Sequence, residues 1–190
     1  MVPEAPSKET QHGRAVTGDG WFVLNARDIR WRRSKGRGVD SNFGGEILFD
    51  QLGVGLTVLE PGEPMSMYHW ETDEEDFLVL SGEAMLIIEG QERPLRPWDF
   101  VHCPPGAAHV IVGAGDGPCV IFGVGSRERH TMIGPDGRRT GRSDWGEYVA
   151  DPVAQKHGAA PERTTTSAEE AYALFPDREP TAYGGWLPEL

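Results

Sequence analysis

Hydrophobic and polar positions along the chain fall into three stretches of different texture. From residue 53 to residue 125, short apolar runs alternate with turn-forming residues: GVGLTVLEPG (53–62), EDFLVLSG (75–82), EAMLIIEG (83–90), DFVHCPPG (99–106), AHVIVGAGDG (108–117) and CVIFGVG (119–125). Short strands at regular spacing, punctuated by Pro-Gly, Ser-Gly, Glu-Gly and Asp-Gly, predict an antiparallel sandwich or barrel. No helical period competes there. Residues 1–20 carry no apolar period and read as a flexible N-terminal tail. Trp21 to Leu24 is expected to be a first strand, residues 31–45 a long, positively charged loop, and the barrel to extend over 21–150. Residues 151–190 then form a C-terminal extension. Within it, TTTSAEEAYALFP predicts a short helix, with Thr166 or Ser167 as N-cap, a glutamate three residues on and Pro176 as the stop. Ala171, Leu174 and Phe175 would offer its apolar stripe to the barrel as a brace.

Composition narrows the picture. A chain of 190 residues suits one domain with a sizeable core, and 25 glycines with 15 prolines suit short strands and tight turns. The net charge of −12, with no basic block, excludes nucleic acid and anionic membrane as expected partners. No stretch approaches the roughly 18 apolar residues of a spanning helix, and the N-terminus shows no apolar core of a signal peptide. Cys103 and Cys119 are expected as free thiols, and the protein as soluble and cytoplasmic.

The candidate chemistry lies in MYHWETDEEDFLVLSG (67–82), where five acids crowd six positions beside His69. On an extended strand His69 and Glu71 project to one side and Tyr68 and Trp70 to the other. Thr72-Asp73-Glu74 would turn, and Glu75, opening an antiparallel partner strand, would return beside His69. His109 opens a later apolar strand after the Pro104-Pro105-Gly106 turn. Carboxylates about 4 Å apart repel by about 4 kcal/mol at an effective dielectric of about 20, a cost that a divalent metal or a proton removes.

These residues resemble the two motifs of the cupin superfamily. Gly62, His69, Glu75 and Gly82 match the first motif, with one residue extra before His69; Pro104, Gly106 and His109 match the second, fifteen residues later. The resemblance covers residues 44–125. Glu71 stands where the first motif has its second histidine, Trp98 replaces a glycine, and Gly113 replaces a frequent asparagine. The resemblance implies an all-β fold, the cupin double-stranded β-helix or jelly-roll barrel, here with a short C-terminal helix. It implies one divalent metal ion (Fe, Mn, Ni or Zn) and a small-molecule ligand or substrate. Either His69, Glu71, Glu75 and His109 all bind the metal, or His69, Glu75 and His109 bind it alone and Glu71 acts as a catalytic acid or base. The implied function is a metal-dependent enzyme on a small organic molecule, with dioxygenase chemistry placed ahead of isomerase, decarboxylase and lyase chemistry. The alternative is a non-catalytic binding module.

The remaining residues have plainer readings. Asp73, Glu74 and Asp76 are expected in a solvated turn, His102 on the outer face and Cys103 as a small buried residue. Tyr68, Trp70, Trp98 and Phe100 are expected in core or dimer packing. Met65 and Met67 would line an apolar mouth or fill gaps. Arg93 and Arg96 would anchor an anion or decorate an edge strand. An outer face carrying Leu78 and Leu80 predicts a homodimer.

Overall fold

The computed structural model describes residues 1–44, 49, 51–127, 132–133, 139–140 and 145–189. The chain opens with a hairpin, β1 (Ser7–Thr10) and β2 (Gly13–Val16), followed by β3 (Trp31–Arg33) and β4 (Val39–Asn42). The region of alternating runs and turns forms β5 (Leu52–Leu59), β6 (His69–Glu71), β7 (Glu75–Ser81), β8 (Glu83–Ile88), β9 (Gln91–Leu95), β10 (Phe100–Cys103), β11 (His109–Ala114) and β12 (Cys119–Ser126). Next come β13 (Met132–Ile133), β14 (Arg139–Thr140), β15 (Gly146–Tyr148), α1 (Pro152–Lys156), α2 (Ala168–Ala171) and β16 (Glu179–Thr181). Parts of the barrel expected over 21–150, namely 45–48, 50, 128–131, 134–138 and 141–144, lie outside the described residues. Among the described residues, no helix is long and apolar enough to cross a membrane.

The fold is all-β. A seven-stranded sheet, in the order β10-β7-β12-β5-β4-β3-β16, faces a five-stranded sheet, β15-β6-β11-β8-β9, in the double-stranded β-helix arrangement. Alternation along each strand decides which side chains meet between the sheets. Phe77 and Val79 of β7, Ile121 of β12 and Leu59 of β5 pack from one side, and Leu86 of β8 and Ile111 of β11 from the other. The residues between them also face apolar surroundings. Val120, with Leu80 and Phe122 beside it, packs under Trp31, Tyr183 and Trp186. Val110 and Val112 pack with Ala154 of α1 and Ala159. Covering both outer faces explains why β11 and β12 read as continuous apolar runs rather than strict alternations.

Turn chemistry holds these strands in place. Gly82 closes the β7–β8 turn at φ 72°, and a Cβ there would meet the Pro118 carbonyl oxygen at 2.4 Å, so the position requires glycine. Trp98 occupies the same kind of left-handed conformation, φ 74°, while its N–H donates to the Val79 carbonyl at 2.8 Å. That geometry explains why a glycine is common at this point of the second motif.

Several expectations are corrected. Residues 7–16 form a hairpin with Ala15 and Val16 fully buried, where a flexible tail was expected. Trp21–Leu24 forms only an isolated bridge, at Trp21; Trp21 and Val23 are exposed, while Leu24 packs against the Trp31 cluster without pairing in a sheet. The loop expected over 31–45 contains β3 and β4, because Trp31 and Val39 bury under the C-terminal aromatics; residue 45 itself lies outside the described residues. The extension beyond residue 150 joins the barrel, with β16 pairing β3. Ser167 does cap α2, accepting from the Glu170 N–H at 3.3 Å, but the helix is a single turn. Leu174 is exposed, leaving Ala171 with Tyr172 and Phe175 as the apolar contact. Leu80 packs under the chain's own C-terminal residues, which removes it from the outer face offered for dimerisation. Trp98 and Phe100 are largely exposed rather than in the core, and Trp70 is half-buried outside the core clusters. Tyr68 and Met67 are fully buried in the core.

Two outcomes test this packing. Replacing the strained Trp98 with glycine should raise the unfolding free energy by about 1 kcal/mol, read as a higher urea midpoint at constant slope. Removing residues 182–190 takes Tyr183 and Trp186 off Trp31 and should lower stability by about 3–5 kcal/mol, the range for deleting a large core aromatic; an unchanged melting temperature would count against the covered outer face.

Candidate metal centre

The site is built from positions that alternation would otherwise give to the core. His69 opens β6 and pairs directly with His109, which opens β11, so two imidazoles stand side by side on the inner face of the five-stranded sheet. Their ring centroids are 5.1 Å apart. The Gly106 N–H donates to the Glu71 carbonyl at 2.7 Å, tying the Pro-Pro-Gly turn to β6 and fixing where β11 begins. Glu75 opens β7, as the sequence predicts, but β7 belongs to the other sheet. The carboxylate therefore meets the histidines across the interior and not as a hairpin neighbour of β6, because the Thr72–Glu74 connection crosses between sheets.

Each imidazole is oriented by its backbone. His69 Nδ1 lies 2.7 Å from the Met67 carbonyl and His109 Nδ1 lies 3.0 Å from the Ala107 carbonyl. A carbonyl only accepts, so both Nδ1 atoms carry the proton and both Nε2 atoms point inward. Glu75 Oε2 sits 3.2 Å from His109 Nε2 and 3.7 Å from His69 Nε2. One ligand atom from each of His69, Glu75 and His109 lies within 4.8 Å of the others. Backbone-oriented histidines and an acceptor carboxylate fit a divalent ion. Glu71 stands beside this trio, with Oε1 3.1 Å from His69 Nε2 and its side chain 31 % exposed. His69 and Glu71 thus share a face, as two residues on one strand must.

Electrostatics tie the trio together in the metal-free protein. Burial pushes Glu75 up, but the hydrogen bond from His109 and the charges of both histidines outweigh it and hold the carboxyl below its usual range. Burial pushes His109 down, yet its contacts with the Cys103 thiol and Glu75 lift it to about 10. Cys103 is buried, as expected, and pairs across from Glu75.

A cavity of about 560 Å³ opens over the trio, a size suited to a small organic ligand. Its walls hold residues the sequence reading missed. Trp145 and Tyr148 stack near His69, with ring centroids 6.0 and 5.9 Å away. Tyr172 packs edge-on against Tyr148. Burial, then the charge and hydrogen bond of Tyr172 and the charge of Glu71, push the Tyr148 phenol well above its usual range, so it stays protonated. Among the described residues, the arginines on the cavity are Arg32, Arg37, Arg127 and Arg178, not Arg93 or Arg96, which lie on β9 and after it. In the sequence, the two aromatics of WGEY (145–148) are the one sign of these walls. His102 sits on the outer face, 2.7 Å from Asp76, which belongs to β7 and not to a solvated turn. Asp73 lines the cavity and Glu74 is exposed. Met65 lines the cavity as well.

The pair predicts a pH dependence. His109 is raised above its ordinary 6.5, so its contribution is complete below that value and is lost as pH rises toward about 10. Glu75 is lowered, so its contribution is present above its ordinary 4.5 and is lost as pH falls below it. Metal-free protein should therefore lose stability from pH 7 to pH 10 in thermal melts, and His109→Gln should flatten that fall.

Comparisons with known proteins bear on the same residues. The family described as Cupin domain matches residues 55–125. No curated protein sequence matches the chain significantly. A crystal structure from Acidithiobacillus ferrooxidans, provisionally assigned as a sugar phosphate isomerase, is 29% identical over 57% of this chain and 76% of its own, with a TM-score of 0.50. A cupin-superfamily sugar phosphate isomerase from Silicibacter pomeroyi is 28% identical over 48% of this chain and 68% of its own, with a TM-score of 0.41. An RmlC-like cupin from Shewanella frigidimarina, 15% identical, shares the fold over 58% of this chain and 94% of its own, with a TM-score of 0.50. With each motif running from one sheet to the other around the cavity, the matched segment, residues 55–125, is a cupin domain.

Proposed function

We propose that the cavity is the active site of a metal-dependent enzyme that moves a proton on a small carbonyl compound, in an isomerase or related lyase reaction. The observation that carries this reading is the separation of roles among the carboxylates. Glu75 is clustered with both histidines, whereas Glu71 lies outside that cluster and faces the cavity. His69, Glu75 and His109 would hold the divalent ion, which when bound supplies a Lewis acid for a carbonyl or enolate oxygen. Glu71, on the same face of β6 as His69, takes a proton from the carbon beside that carbonyl and returns it to the former carbonyl carbon, while the hydroxyl proton passes to the former carbonyl oxygen. Tyr148, kept protonated, donates a hydrogen bond from the same wall. Trp145 and Tyr172 exclude water from one side of the cavity. The likeness to a protein provisionally assigned as a sugar phosphate isomerase supports proton transfer over the oxygenase chemistry that the family resemblance first suggested.

Oxygen activation is the second reading, and it rests on the two-histidine, one-carboxylate set, which leaves coordination positions open. The two readings separate in one experiment. Metal-loaded protein is incubated in D2O with a panel of small α-hydroxy carbonyl compounds, and deuterium incorporation and oxygen uptake are followed together. Wild type should hold about one divalent ion per chain and His109→Ala should lose it. Glu71→Gln should keep the ion while deuterium incorporation falls by about 10²–10⁴-fold. Substrate-dependent oxygen uptake without deuterium exchange would establish the oxygenase instead. Loss of the ion in Glu71→Gln would make Glu71 a fourth ligand.

A further inference from the structure

The wall of the cavity formed by β4 and the C-terminal extension carries, among the described residues, more guanidinium than carboxylate groups. Arg37, in the turn before β4, is only 8 % exposed and lines the cavity. Among the described residues, its guanidinium makes one hydrogen bond, from Nη2 to the Met65 carbonyl at 3.1 Å, and its buried Nε has no partner. The faces of Tyr172, 4.1 Å away, and Phe175, 5.7 Å away, hold the guanidinium in a fixed orientation.

The carboxylate nearest in charge is already committed. Asp40 is paired with Arg32 at 2.6 Å and with Arg178 at 2.5 Å. Three guanidinium groups thus share one acid on this wall, and Arg178 adds repulsion at Arg37. A buried arginine cannot shed its proton and normally finds a carboxylate. Among the described residues that line the cavity, arginines and acids are equal in number, four of each, so a divalent ion on the trio would leave that lining positive. A ligand with an oxyanion would complete this wall.

We propose that Arg37 is the anchor for a carboxylate or phosphate group of the substrate, with the reacting end of that molecule directed at the trio. This rests on the reading of the cavity as a substrate site and specifies the class it takes: small anionic molecules. The planar fork of arginine suits two parallel hydrogen bonds to an oxyanion, and Tyr172 and Phe175 give it the rigid backing that such recognition needs. Arg37 is held by the segment between Tyr172 and Arg178, so the C-terminal extension builds the specificity of a barrel whose chemistry lies elsewhere.

The test uses full-length protein, metal-loaded and metal-free, titrated calorimetrically with inorganic phosphate, malonate and uncharged glycerol. Wild type should bind at least one anion and not glycerol. Arg37→Met, which keeps the apolar stem, should weaken anion binding by about 10–100-fold, as expected for losing charge-assisted hydrogen bonds, with metal content unchanged. Arg37→Lys, which keeps the charge but not the fork, should also bind more weakly than wild type, and it carries the test should Arg37→Met fail to fold. Binding of neither anion by wild type, or equal binding by wild type and both variants, would overturn the anchor. Anion binding that needs the metal and ignores Arg37 would overturn it too. Deuterium exchange is read separately: its absence alongside Arg37-dependent anion binding sinks the proton-transfer reading and leaves the anchor standing.

Discussion

The contact of Glu75 with His69 and His109 is the interaction on which the rest of the structure depends. It joins the two sheets at a point where alternation would place apolar side chains, and it does so with groups that are costly to bury unpaired. The backbone bears part of that cost: the Met67 and Ala107 carbonyls hold both imidazoles with Nε2 inward. The remainder falls to Glu75, held as a carboxylate beside a protonated His109 in the metal-free protein. Below this polar layer, Phe77, Val79, Ile111 and Ile121 fill the space between the sheets and leave the trio only the cavity side.

The segments outside the matched barrel do two jobs. β3, β4 and β16 extend the seven-stranded sheet and the Tyr183–Trp186 aromatics cover its outer face, while α1 and the residues after it cover the five-stranded one. Sheets covered on both faces need apolar residues at successive positions, which is the pattern of β11 and β12. The same segments also reach the cavity. Arg37 and Asp40 arrive from the turn and strand at β4, and Tyr172 and Arg178 from the extension, so folding of the cover and formation of the cavity wall are one event. Deleting a few residues from the extension would therefore disturb packing and the cavity wall together.

How far the sequence carries can be followed at particular positions. β5, β7, β8 and β10 through β12 were legible because each short apolar run ends in a turn whose residues demand it, as Gly82 does at its positive φ. His69, Glu75 and His109 were legible because their spacing matches two motifs in order, and His69 with Glu71 because strand geometry puts them on one face. The route by which Glu75 reaches His69 was not. A turn of three residues looks like a hairpin, and only the sheet order shows that it crosses the interior.

The sequence by itself determined the all-β class, the barrel strands, the cupin motifs and the residues at the centre, since all of these follow from local periodicity and short spacings. Tertiary structure alone decided the burial of the N-terminal hairpin, the joining of the extension to the main sheet and the cavity wall of Arg37, Trp145, Tyr148 and Tyr172. The physical reason is the range of the interactions. A strand or a turn is encoded by neighbours a few residues apart, whereas Arg37 over Tyr172 joins positions 135 residues apart that carry no local sign of each other.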